Sequence, residues 1–195
     1  VLAMTVSFSD GVCWVASKGI MSANRRLEKS RMPEITALGW FHTVMGIIAL
    51  VSGAIALVRH KEITLQARSG QVYLATTLIT AATALAIFQH GGFGPAHGLA
   101  VMTLAALLVG TIASITYLFG RFSRHVRAVS YTSTLLFHSI PAVTDGLMRL
   151  PVGDPVLSSI EDPLLKQCYL VLLVLFLIGV SLQLRWISRQ GSDLR

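Results

Sequence analysis

Apolar residues gather along this chain into long runs separated by short polar stretches. Residues 37–58 contain no charged side chain, and further runs lie at about residues 72–88, 98–119, 128–148 and 164–184. A helix needs about 20 apolar residues to cross about 30 Å of hydrocarbon, and all but the short second run approach that length. The fourth is more polar, holding His138, Pro141 and Asp145. The fifth ends at Arg185-Trp186, a cation that can snorkel beside an interfacial aromatic. The runs are apolar on every side, as helices in lipid are. The pattern predicts an all-α integral membrane protein. It places a five-transmembrane-helix bundle over residues 37–187, an interfacial or partly disordered tail over residues 1–36, and a short tail over residues 188–195.

The connections between runs alternate in charge. The first carries Arg59, Lys61 and Arg68, the third Arg121, Arg124 and Arg127, and the C-terminal tail Arg185, Arg189 and Arg195. The second, residues 89–96, has no Lys or Arg. The fourth sets Arg149 and Lys166 against Asp154, Glu161 and Asp162. Basic loops stay in the cytoplasm, so the expected orientation is N-terminus out and C-terminus in, in a bacterial cytoplasmic (inner) membrane. Arg25, Arg26, Lys29 and Arg31 oppose it, because they precede the first span on the outer side. A start at Met32 would remove that conflict. Residues 1–20 have no basic region ahead of an apolar stretch and do not read as a signal peptide.

Composition agrees with the pattern. Hydrophobic residues make up 53% and charged residues 13% of the 195 residues, against about 25% charge in an ordinary soluble domain. The net charge of +7 would suggest nucleic acid in a soluble protein. Here the cations flank apolar runs, so the expected partner is the lipid bilayer and not nucleic acid. Cys13 and Cys168 form no CxxC pair, so neither a disulfide framework nor a zinc knuckle is expected. Gly46, Ala49, Gly53 and Ala56 in the first span, and Ala106 and Gly110 in the third, are spaced to let helices approach closely.

The candidate chemistry lies in the histidines. His42, His90, His97 and His138 fall toward the outer ends of their spans, whereas His60 and His125 sit among arginines at the other face. An ionisable side chain within a span is a functional candidate because lipid makes it costly. His42 with His138 is the expected pair for bis-histidine ligation of haem b, with His97 as substitute and Arg149 near enough to the surface to meet a propionate. A Zn, Cu or Fe ion bound by His42, His97 and Asp145, with His90, is the alternative. Electron transfer with a quinone or another membrane redox subunit would follow from either. Two other readings remain. One is a non-catalytic accessory subunit, with His90 and His97 solvated or capping helices and Asp145 paired to Arg149 four residues on. The other is a proton-coupled transporter using His138 or Asp145 as a relay. The loop Gly91-Gly92-Phe93-Gly94-Pro95 lacks the Lys-Ser/Thr of a phosphate cradle. Ser139 adjoins His138, but neighbouring helical residues do not face each other, which counts against Ser/His/Asp hydrolysis.

The segment Phe41-His42-Thr43-Val44-Met45-Gly46-Ile47-Ile48-Ala49-Leu50, then Ser52-Gly53, a basic loop and Gly70-Gln71-Val72-Tyr73-Leu74 resembles the bacterial membrane-protein family numbered 2306 among the domains of unknown function. The likeness covers roughly residues 38–148. It matches His42 to the family's first histidine position, while Gln66 stands at the family's loop histidine and His125 is displaced by about two positions. The resemblance implies a multi-helix membrane protein and no particular activity.

Overall fold

The computed structural model describes residues 35–87, 92–116 and 118–192, and side chains through residue 190. Among these, five α-helices form and no strand does: α1 (Ala37–His60), α2 (Arg68–Leu85), α3 (Pro95–Ile115), α4 (Ser123–Arg149) and α5 (Pro163–Ser192), with a 3₁₀ turn at Gly120–Phe122 before α4. Every predicted span is a helix. Three of them, α1, α3 and α5, are long and apolar enough to cross a membrane. The tail arginines, Lys29, Cys13 and His90 lie outside the described residues.

Local chemistry sets the helix ends. The Thr36 hydroxyl accepts from the Gly39 N–H (3.1 Å), capping α1. Pro95 opens α3 at a position where its missing N–H costs nothing. α1 ends at Lys61, which adopts the left-handed region (φ 62°) and returns its N–H to the Leu57 carbonyl. That reversal turns Glu62 and Ile63 inward, both buried. The α2 helix starts four residues before the predicted apolar run, because Arg68, Ser69 and Gly70 complete its first turn. The α5 helix overruns its predicted end by two turns, since Arg185 to Ser192 continue its surface turns.

Each helix packs on the next in sequence, and α4 also touches α1. The α4 helix is therefore flanked by α1, α3 and α5. The core joins Ala49 and Ala56 of α1, Tyr73 and Leu74 of α2, Leu107 of α3 and Tyr131 of α4. Small residues make these contacts possible. The Tyr73 ring lies against Gly53, and the Tyr131 ring lies against Gly110. A second cluster, Met148, Leu157 and Leu165, ties the loop before α5 to the ends of α4 and α5.

The outer surface is greasy. Val44, Ile47 and Val51 of α1, Met102 and Leu108 of α3, and Leu170, Leu175 and Leu182 of α5 are all exposed. The α2 helix has the same inside-out order. Its threonines Thr76, Thr77 and Thr80 are buried, while Val72, Leu78 and Ile79 face outward. Water would select the opposite arrangement, whereas lipid selects this one. Along α4 only Ala142 and Asp145 are exposed, so its many polar side chains are covered by neighbouring helices.

Candidate functional site

His42 sits one turn and a half into α1 and reaches across to α2. Thr83 donates its hydroxyl proton back to the Ile79 carbonyl (2.9 Å). Its Oγ1 also lies 3.1 Å from His42 Nδ1, in a hydrogen bond whose direction follows the histidine tautomer. The contact engages Nδ1 of His42. An imidazole oriented through its second nitrogen is the usual arrangement for a ligating histidine. Thr83 was not among the sequence candidates. A threonine in an apolar run carries no signal until the helices are paired.

His138 lies on α4 and is buried, and its Nε2 has no hydrogen-bond partner among the described residues. The two residues of the predicted pair lie on helices that touch, α1 and α4. A buried ring nitrogen without a partner is expensive unless a ligand completes it.

The other candidates are placed differently. His97 is buried at the start of α3, where its Nδ1 accepts from the Gly94 N–H (3.2 Å) and its ring stacks on Phe93. It caps the helix. Asp145 is largely exposed and pairs with Arg149 at 3.8 Å. Among the described residues no three His, Cys, Asp or Glu side chains converge on a point that could hold a metal ion. The set of His42, His97 and Asp145 is therefore not assembled, and His90 lies outside the described residues.

A second polar centre occupies the opposite end of the bundle. Glu62, the only carboxylate between Glu34 and Asp145, is buried between two arginines. Arg124 Nη2 donates to it at 2.8 Å and Arg127 Nη2 at 2.9 Å. Burial pushes the Glu62 carboxyl up, but the hydrogen bonds and charges of Arg124 and Arg127 together outweigh it and hold it below the usual range. Arg124 also donates to Gln190 (2.7 Å) and lies over the Trp186 ring. Gln183 donates to the Lys61 carbonyl (2.8 Å) and accepts from Thr132 (3.0 Å). The first loop, α4 and α5 are thereby locked together. The lone acid in a basic loop was the available sequence signal for this centre.

Comparison with family models, with curated proteins and with solved structures finds no match to this chain.

Proposed function

We propose that this is a five-crossing bacterial inner-membrane protein, N-terminus outside and C-terminus in the cytoplasm, in which His42 and His138 bind haem b or a metal ion for membrane electron transfer. The buried, partnerless Nε2 of His138, on a helix that touches the one bearing His42, carries this reading. The Thr83 contact supports it, because it holds His42 through Nδ1, and a ligating histidine is usually oriented through its other nitrogen. A haem held by two imidazoles cycles between ferric and ferrous iron, one electron at a time. The protein's part is to supply two ligands from different helices and a covered, low-dielectric surrounding. A quinone or a second redox subunit would exchange the electron.

The geometry of His97 and Asp145 favours a second reading, a non-catalytic accessory subunit. Both are accounted for by local roles, one as a cap and the other in an ion pair. Absorption spectra of the detergent-purified protein, oxidised and dithionite-reduced, with metal analysis of the same sample, separate the two. The redox reading expects a Soret band that His138→Ala and His42→Ala each abolish. A colourless preparation with no stoichiometric metal overturns it and leaves the accessory subunit.

A further inference from the structure

We propose that a cleft between the C-terminal end of α3 and the N-terminal end of α4 binds a phosphate-bearing anion. This site is separate from the histidine pair and does not depend on it. The cleft has a volume of about 390 Å³ and is lined by Ser114, Thr116, Arg121, Ser123, Arg124 and Arg127, among others. That volume falls at the lower end of small-molecule sites, which run from about 300 to 1,000 Å³. It suits a phosphate group or a small headgroup.

The charge balance is unequal. Three guanidiniums line the cleft, and Glu62 is the carboxylate that Arg124 and Arg127 share. Two positive charges therefore remain. The donors divide by role. Arg124 is spent on Glu62, Gln190 and the Trp186 face. Arg127 gives one nitrogen to Glu62, while its Nε is buried and has no hydrogen-bond partner among the described residues. Ser123 Oγ is in the same condition. Arg121 lies over the exposed Phe122 ring, 4.8 Å from its centroid. On the facing wall, Ser114 and Thr116 return their hydroxyl protons to the Gly110 and Ile112 carbonyls, which covers those acceptors. The first turn of α4 carries no side-chain cap, and the positive end of its dipole is set against the negative end of α3's, so the arginines carry the charge. An excess of two cations beside the cleft calls for an anion with several oxygens.

The cleft lies at the basic end of the bundle, where a lipid phosphate or a free phosphate could each reach it. Basic pockets between helices at a cytoplasmic surface commonly hold lipid headgroups. The test uses the full chain in nanodiscs of phosphatidylcholine, with and without phosphatidylglycerol. Phosphatidylglycerol retained on transfer to detergent is counted by native mass spectrometry, and thermal unfolding is followed as inorganic phosphate is added. Arg121→Gln removes a cleft cation outside the Glu62 cluster, and Ser123→Ala removes a buried donor. Arg185→Gln makes the same charge change at an exposed residue that does not line the cleft. If a lipid is the source, the wild type and Arg185→Gln retain phosphatidylglycerol and Arg121→Gln retains about fivefold less. If free phosphate is the source, phosphate raises the unfolding temperature of the wild type and Arg185→Gln but not of Arg121→Gln or Ser123→Ala. Failure of both readouts to distinguish Arg121→Gln from Arg185→Gln overturns the proposal.

Discussion

At the scale of single residues, Gly110 shows how tightly the bundle is closed. A Cβ there would stand 2.5 Å from Cε1 of Tyr131. The ring has little room to retreat, because its hydroxyl is shared with Thr111 (3.2 Å) and Ser114 (3.4 Å) on the same face of α3. Replacing a helical glycine by alanine ordinarily gains about 1 kcal/mol. Forcing a methyl group into a filled contact costs about 1–3 kcal/mol. The second effect wins here, so Gly110→Ala is expected to unfold at a lower temperature than the wild type. Gly179 supplies the control, since an added Cβ there would meet no atom within 4 Å, and Gly179→Ala should match or exceed the wild type. Thermal unfolding in detergent compares the three. Equal destabilisation by both substitutions would contradict the close α3–α4 contact. The Tyr73 seat on Gly53 follows the same logic. Its hydroxyl donates to the Tyr131 carbonyl (3.3 Å) and pairs with Thr134.

At the scale of elements, the first loop holds the basic end of the bundle through one carboxylate. Glu62→Gln leaves Arg124 and Arg127 facing a neutral amide, at an expected cost of about 1–3 kcal/mol. The pH dependence has a definite sign. The Glu62 carboxyl is held low in the folded protein, so its contribution is complete above the ordinary carboxyl value of 4.5. It is lost as the pH falls through the lower folded value. The gap in unfolding temperature between wild type and Glu62→Gln should therefore be constant near neutral pH and close below pH 4.5. A gap that persists in acid would mean that the amide disturbs packing and not charge. Gly70 sets the other side of this loop, where a Cβ would overlap the Thr64 carbonyl oxygen. Because that neighbour is backbone, Gly70→Ala should be more damaging than Gly110→Ala.

At the scale of the whole molecule, the question is whether α2 and α4 cross the membrane with α1, α3 and α5. Their compositions are too polar to single them out; α2 carries outward apolar residues and α4 is covered by three neighbours, and labelling decides between three and five crossings. Single cysteines at exposed sites separate the alternatives in a background lacking Cys13 and Cys168. With five crossings, a membrane-impermeant maleimide added outside labels Phe93→Cys and Val152→Cys and spares Leu118→Cys. With only α1, α3 and α5 crossing in the same starting direction, Phe93→Cys is spared and Leu118→Cys is labelled. The three positions are 72%, 90% and 74% exposed in the order Phe93, Val152, Leu118, so access follows from sidedness.

Much of this architecture was legible in the chain alone. The five helices follow from hydrophobic run length, a local property set by the need to satisfy each backbone group within its own segment. The small residues that seat Tyr73 and Tyr131 were visible as spacings, although their partners were not. His42 and His138 were legible as costly residues within apolar runs. The tertiary structure decided which of the costly groups are already satisfied. Thr83 contacts His42, Gly94 accounts for one nitrogen of His97, Arg149 pairs with Asp145, and His138 keeps a buried nitrogen without a partner among the described residues. Glu62 was visible as a lone acid in a basic loop, but its partners were hidden for the same reason, since its arginines lie 62 and 65 residues away. Hydropathy and charge sum along the chain and can be read from it. Hydrogen-bond satisfaction depends on which side chains face one another across helices, and only the folded molecule determines that.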